Sequence, residues 1–192
     1  RDSPAPGGGS VAALSGALGA ALGTMVANLS TSKAGFEDQK DKLDEIASKG
    51  QAVKDALIKA IDDDTSAFDQ VIKAMRMPKD TDADKKNRET AMQEGYQIAT
   101  QVPLETVKHC RDALQICSEI SKLMDDGMAS DVGSGALMAN AGAKAAAYNV
   151  RINLKSIKNE KFCKTTGNEL GKLIGECNLL TESVTQNVDK TL

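Results

Sequence analysis

The 192-residue chain is poor in aromatic residues and in histidine, with no Trp, two Tyr, three Phe and a single His. With so few aromatic side chains the interior must be built from Ala, Leu, Val, Ile and Met, a composition that favours helices over strands. One histidine argues against a transition-metal site. No basic segment is interleaved with aromatic residues in the way that nucleic-acid-binding segments are. We therefore expect an all-helical protein with no metal site and no nucleic-acid partner.

The four cysteines also lack the close pairing that zinc sites and redox motifs use. Cys110 and Cys117 would lie about 10 Å apart along a helix, which is too far for a disulfide bond. Cys163 and Cys177 are farther away still in sequence. This pattern predicts four reduced, buried thiols and a cytoplasmic location.

Charge is nearly balanced, with 24 Lys and Arg against 27 Asp and Glu, but the segment from Val11 to Ser32 carries none. The segment is long enough to cross a membrane. It consists mostly of Ala and Gly, however, and it lacks the basic and aromatic flanks of membrane spans. We therefore predict a buried core helix, no membrane association, and one domain that spans residues 1–192.

Apolar periodicity predicts an up-and-down bundle of about five to six helices and shows no strand-like alternation. A turn is expected at Pro4–Pro6, after which Gly7, Gly8 and Gly9 lead to Ser10, the predicted cap of a helix that begins at Val11. Pro103 is expected to kink or break a helix. The later helices are predicted at Phe36 to Met75, at Asp82 to Met124, at about Asp131 to Ile157 and at about Glu160 to Val188.

The first predicted helix has two apolar faces, so we expect protein on all sides of it. One face carries large side chains, namely Val11, Leu14, Leu18, Leu22, Met25 and Leu29. The other carries small residues, namely Ala12, Gly16, Gly19 and Gly23. A second stripe of small residues, Gly135, Ala139, Gly142 and Ala146, follows later in the chain. Such seams allow close helix contact, either inside one chain or between two subunits.

Asp64 departs from the apolar stripe of the second helix, which follows steps of four and three through Val53, Leu57, Ile61, Asp64, Phe68, Val71 and Met75. Asp62 and Asp63 point to other faces. An ionised carboxylate among apolar residues is costly unless it is paired or protonated, and a protonated carboxyl group can serve as a general acid. Asp64 is therefore either a catalytic acid, a carboxylate paired inside the bundle, or part of a stripe that runs out into solvent.

Three further groups could bind a ligand. Asn149 and Asn153 continue the second small-residue stripe, so their amides need partners, either a ligand or the backbone of a facing helix. Lys144, Arg151, Lys155 and Lys158 form a basic stripe that is either an anion site or a solvated face. The glycines at 7–9 precede a helix, where backbone amides could bind a polar ligand, or they form a flexible connection.

In order and separation, several motifs resemble the family of formimidoyltetrahydrofolate cyclodeaminases and methenyltetrahydrofolate cyclohydrolases, over nearly the whole chain. The motifs are residues 6–13 (PGGGSVAA), 62–68 (DDDTSAF), 75–79 (MRMPK), 102–104 (VPL), 130–133 (SDVG) and 149–155 (NVRINLK). The resemblance implies an all-helical bundle, a homodimer, a folate substrate, and a catalytic aspartate that falls on Asp64. Members usually carry a further short helix before the proline-glycine segment, so the resemblance implies that this sequence, which begins at Arg1, is a fragment of a longer chain.

The resemblance also implies a reaction. As a cyclodeaminase, the protein would convert 5-formimidoyltetrahydrofolate to 5,10-methenyltetrahydrofolate and ammonia in histidine degradation, without a cofactor and with a fused or separate formimidoyltransferase. As a cyclohydrolase, it would hydrolyse the methenyl bridge to 10-formyltetrahydrofolate. A helical scaffold without catalytic activity is the third alternative.

On the cyclodeaminase interpretation, each candidate residue has an expected role. Asp64 protonates the departing nitrogen. Asn149 and Asn153 orient the pterin ring, and Arg151 or Lys155 meets the glutamate tail of a folate that can be polyglutamylated. Residues of the segment Gly7, Gly8, Gly9 and Ser10 complete the predicted substrate site.

Overall fold

The computed structural model describes residues 7–192, which form five long helices and contain no strand. The predicted all-helical bundle is confirmed, while the turn expected at Pro4–Pro6 lies outside the described residues. Two short 3₁₀ helices, Glu37–Gln39 and Asp126–Met128, join long ones. The long helices are α1 (Gly8–Thr31), α2 (Lys40–Met75), α3 (Asp82–Ile120), α4 (Ala129–Leu154) and α5 (Glu160–Thr191).

Helix α1 packs against α2, α3 and α4, and its small-residue face makes the closest contact with α4. A Cβ added at Gly19 would lie 2.6 Å from the Gly135 carbonyl oxygen, and one added at Gly142 would lie 2.7 Å from the Ala12 oxygen. The two predicted seams therefore face each other inside one chain. Because Gly19 meets Gly135 while Gly8 meets Asn149, the two helices run antiparallel.

The large-residue face of α1 is exposed, so the expectation that protein surrounds this helix within the chain was wrong. Val11, Leu14, Leu18 and Leu29 are each about half exposed, and Met25 is 38% exposed. On the opposite face, small residues let the neighbouring backbones approach, and nearly all of the buried residues of α1 lie on that face. By length and hydropathy α1 would qualify as a membrane span, with 61% of its most apolar window buried inside the protein.

The starts of α1 and α3 depend on different residues. Helix α3 begins at Asp82 as predicted, and Thr81 caps it: the Thr81 hydroxyl accepts from the Asp84 amide at 3.1 Å and the Asp84 carboxylate accepts from the Thr81 amide. The prediction that Ser10 caps α1 was wrong. Helix α1 begins at Gly8 after Gly7, without a side-chain cap, because the Ser10 hydroxyl is bonded to α2 instead.

Helix α3 runs without a break through Pro103, so of the expected kink or break the break does not occur. Proline has no backbone N–H, so the Ala99 carbonyl, four residues earlier, loses its helical partner. The Asn153 side chain on α4 supplies the missing donor, with Nδ2 2.6 Å from the Ala99 oxygen. Packing against α4 therefore compensates for the proline.

Cys110, Cys117 and Cys177 are free and buried, as predicted, whereas Cys163 is only half-buried. Burial raises the pKa of the Cys117 thiol to about 12 and that of Cys177 to about 11, and it raises the pKa of Cys110 further. These three cysteines are protonated core side chains. The Cys163 thiol lies at the turn after α4 and donates to the Leu154 and Ile157 carbonyls.

Candidate active site

A cavity of about 360 Å³ opens where the first turn of α1 meets the middle of α2 and the end of α4. Its volume is within the range of small-molecule sites. Its walls combine polar and apolar groups, including Gly7, Gly8, Asp64, Phe68, Asn149 and Asn153. Five of these six residues belong to the predicted site, and Phe68 is the addition.

Asp64 stands in the cavity wall and is half-buried. The predicted stripe does not stay in the core, because Phe68 is 50% exposed and Met75 39% exposed. The buried positions in these turns include Ala60, Ala67 and Ala74, each one residue before a position of the predicted stripe, so the buried face is offset from that stripe. Asp62 is exposed, and Asp63 pairs with Lys59 on the surface. Among these three aspartates only Asp64 reaches the cavity.

Ser10 and Gly9, in the first turn of α1, contact the Asp64 carboxylate. The buried Ser10 hydroxyl lies 3.1 Å from Asp64 Oδ2 and 3.2 Å from the Ile61 carbonyl oxygen, and it can donate to either. A Cβ added at Gly9 would lie 2.0 Å from Asp64 Oδ1, so only glycine leaves room for the carboxylate there. Neither predicted alternative for the glycine segment included this role.

The surroundings of Asp64 suit a group that moves a proton. The carboxylate lies at the N-terminal end of the 24-residue helix α1, where the helix dipole places partial positive charge. Ser10 adds a donor to a carboxylate oxygen. A carboxyl group placed in a cavity wall in this way can accept a proton from a ligand and then return it.

Asn149 and Asn153 present their side-chain oxygens as acceptors. Asn149 Nδ2 donates to the Ala145 carbonyl at 3.0 Å, and Asn153 Nδ2 donates to Ala99. Asn153 thus bonds to the backbone of a facing helix, which was one of the two predicted alternatives, whereas Asn149 bonds to its own helix, and both side chains still line the cavity. Together with Asp64 they form a polar wall of acceptors, which favours a ligand that carries N–H groups.

The predicted basic residues lie beside the cavity, not in its wall. Arg151 and Lys155 are exposed, with the Arg151 guanidinium 5.9 Å from the Tyr148 ring centroid. Lys158, farther along, pairs with Glu89. Across residues 7–192 no group of three or more His, Cys, Asp or Glu side chains is placed to hold a metal ion.

Phe68 and Ala99 could not be identified as cavity residues from the sequence. Phe68 had been assigned to the core stripe. For an apolar residue, periodicity is the only signal in the sequence that indicates which face of a helix it occupies. Ala99 lines the cavity next to Asn153 because α3 and α4 pack together there. The presence of Pro103 four residues later was the one available signal that the Ala99 carbonyl needed another partner.

Similarity to known proteins agrees with this geometry. A family model described as formiminotransferase-cyclodeaminase matches residues 1–172. A methenyltetrahydrofolate cyclohydrolase of Methylorubrum extorquens is 36% identical over 96% of this chain and 89% of its own length. The crystal structure of a formiminotetrahydrofolate cyclodeaminase from Thermotoga maritima superposes with a TM-score of 0.89 at 26% identity, covering 99% of this chain and 91% of that one.

Longer relatives contain the same unit. The formimidoyltransferase-cyclodeaminase of Gallus gallus is 35% identical over 91% of this chain, and that of Sus scrofa is 36% identical over the same share. The chain spans only 32% of the length of either protein. With matches across nearly all of its residues, the chain belongs to the formiminotransferase-cyclodeaminase family of folate one-carbon enzymes.

Proposed function

We propose that the chain converts 5-formimidoyltetrahydrofolate to 5,10-methenyltetrahydrofolate with release of ammonia, and that Asp64 carries the proton. The observation behind this proposal is a carboxylate in the cavity wall, fixed by Ser10 and accommodated by Gly9. The Thermotoga structure is that of a formiminotetrahydrofolate cyclodeaminase, and the longer relatives are formimidoyltransferase-cyclodeaminases.

The proposed reaction needs one proton carrier. Folate N10 attacks the carbon of the protonated formimidoyl group on N5 (N5–CH=NH2⁺), and a new C–N10 bond forms as the C=N bond becomes single and leaves a neutral amino group. The N10 proton passes to the Asp64 carboxylate. Asp64 then protonates the amino nitrogen, whose bond to carbon breaks as ammonia leaves, and the methenyl bridge remains between N5 and N10. A carboxyl group can perform both transfers without a cofactor.

The cavity supports a placement for the substrate. The side-chain oxygens of Asn149 and Asn153 accept from N–H groups of the pterin, and Phe68 supplies an apolar surface for the ring. Gly7 and Gly8 form the wall beside Asp64. The glutamate tail extends toward Arg151 and Lys155, whose charges favour a polyglutamylated folate. In the cytoplasm, a formimidoyltransferase, fused or separate, would supply the substrate during histidine degradation.

We also propose a homodimer in which a second copy covers the exposed face of α1. Contiguous large apolar side chains on a protein surface mark an interaction site. Helix α4 also exposes apolar side chains, because Tyr148 and Ile152 are 68% and 58% exposed, and Ile152 also lines the cavity. The folate site would then lie close to the subunit boundary.

A second candidate is methenyltetrahydrofolate cyclohydrolase, favoured by the Methylorubrum relative, which matches this chain over 89% of its own length. In that reaction water attacks the methenyl carbon and gives one proton to Asp64. Asp64 then returns this proton to N5 as the C–N5 bond breaks, and the remaining hydroxyl group loses its proton to solvent as the C=O bond of 10-formyltetrahydrofolate forms. The same cavity and the same carboxylate serve both reactions.

Two assays separate these candidates. With 5-formimidoyltetrahydrofolate, a cyclodeaminase produces methenyl absorbance and ammonia in equal amounts. With 5,10-methenyltetrahydrofolate at neutral pH, a cyclohydrolase accelerates the loss of that absorbance above the spontaneous rate. Activity only in the second assay would replace the first proposal with the second, and activity in neither would leave the scaffold alternative.

Asp64→Asn tests the mechanism in whichever assay is active. The variant keeps the size of the side chain and an oxygen that can accept from Ser10, but it cannot carry a proton. We expect turnover to fall by about 10²–10⁴ with an unchanged melting temperature. Asp62→Asn and Asp63→Asn, which lie outside the cavity, are the controls and should remain within a few-fold of the parent. An active Asp64→Asn protein would contradict the proposed role.

A further inference from the structure

The backbone of α3 has a gap in its hydrogen bonds beside the cavity. Pro103 lies well inside the helix and cannot donate to the Ala99 carbonyl, which also lines the cavity. A carbonyl without a partner at a helix interior is costly, so another donor must reach it. Asn153 is that donor, at 2.6 Å from a helix 54 residues away in sequence.

This bond fixes which way the Asn153 amide faces. The side chain has one donor end, Nδ2, and one acceptor end, Oδ1. If the amide were turned over, Oδ1 would face the Ala99 oxygen at 2.6 Å, and two acceptors at that distance repel. The carbonyl that Pro103 leaves unpaired therefore selects the orientation with Nδ2 toward α3. The opposite end, Oδ1, remains available to the cavity that Asn153 lines.

We infer that Pro103 is a positioning residue for ligand binding, because the Ala99 carbonyl that it leaves open holds Asn153 with its oxygen available to accept from a pterin N–H. This inference rests on the proposed function in that the ligand is a folate. Pro103 acts only through Asn153. Pro103, a residue that is unfavourable inside a helix, thereby determines which end of the Asn153 amide faces the ligand.

Pro103→Ala is the direct test, because it restores a backbone N–H to Ala99 and releases the Asn153 amide. The probe is 5-formyltetrahydrofolate, a stable folate in which oxygen replaces the imino nitrogen of the substrate, with Kd measured by calorimetry. We expect both Pro103→Ala and Asn153→Ala to raise Kd about 3- to 10-fold, the size of one hydrogen bond. In the double variant the two losses should not add.

Thermal melts of the same variants give a readout that does not depend on folate. Asn153→Ala leaves the Ala99 carbonyl unpaired and should lower the melting temperature. Pro103→Ala should then raise the melting temperature more in the Asn153→Ala background than in the parent, because only there does the new N–H satisfy an unpaired carbonyl. Thr106→Ala is the control: it removes a bond to Val102 one turn along α3 and should leave Kd unchanged.

The outcomes separate this inference from the proposed function. If the parent binds folate, Asn153→Ala weakens binding and Pro103→Ala does not, the positioning role is overturned while the folate site stands. Equal gains in melting temperature in both backgrounds would overturn the link between Pro103 and Asn153 regardless of ligand. A parent with neither folate binding nor turnover would overturn the proposed function and, with it, the assignment of folate as the ligand of Asn153.

Discussion

The first and last helices both carry glycines at helical spacing, yet the two sets have opposite surroundings. Added Cβ atoms at Gly9, Gly16 and Gly19 would approach other atoms within 2.6 Å. At Gly167, Gly171 and Gly175 on α5 nothing lies within 4 Å. Spacing therefore does not show which glycine seam is packed. What distinguishes α1 is that it carries no charge on any face, whereas α5 is strongly amphipathic.

The contrast is sharpest at Gly9, where the neighbouring atom belongs to the proposed catalytic group. Gly9→Ala should displace Asp64 and lower turnover by about 100-fold, the typical effect of a misplacement of about 1 Å in an active site. Gly167→Ala is the matched control on α5 and should retain full turnover. Parent-like activity of Gly9→Ala would mean that Asp64 does not need this close contact.

In the middle of α1 the expected effect is on stability. Gly19→Leu should lower the free energy of unfolding by about 1–3 kcal/mol, because the backbone of α4 lies within 3 Å of the new side chain. Denaturant titration measures the loss. Gly175→Leu on α5 should cost far less, and equal losses for the two variants would show that the α1–α4 seam is not tightly packed.

The outer faces of the same two helices test the proposed dimer. Leu18→Lys places a charge in the centre of the exposed α1 face and should weaken self-association about tenfold or more, as measured by sedimentation. Leu179→Lys, on an α5 side chain that is 68% exposed, should have no effect on association. A parent that sediments only as a 20.2 kDa species would remove the basis for this comparison.

The smallest expected effect is a gain. Gly171→Ala should raise the free energy of unfolding by roughly 0.5–1 kcal/mol, because the position is helical, exposed and free of close neighbours. The same substitution at Gly16 should be destabilising, since its Cβ would lie 2.5 Å from the Cys110 sulfur. Thermal melts of the two variants would move in opposite directions.

The sequence predicted those features that local pattern controls. The α3 start follows from residues that are close in sequence, and Asp64 stood out because one carboxylate interrupted an apolar stripe. The roles of Gly9 and Ser10 depend on how closely α1 approaches α2, more than 50 residues later. The continuity of α3 depends on Asn153 in the same way. Periodicity also overstated the burial of Phe68, because the buried face of α2 runs through Ala67 and Ala74, one residue before the positions assigned to the stripe.

The close contact between α1 and α4 also has a consequence for biosynthesis. The ribosome completes α1 roughly 120 residues before it completes α4. At 5–20 residues per second, the small-residue face of α1 waits about 6–25 s for that partner. During this time α2 and α3 can pack against α1, but the surface that contacts α4 stays uncovered on an uncharged helix that would qualify as a membrane span by length and hydropathy. Chaperone dependence of the nascent chain should therefore end only when Leu154 has emerged.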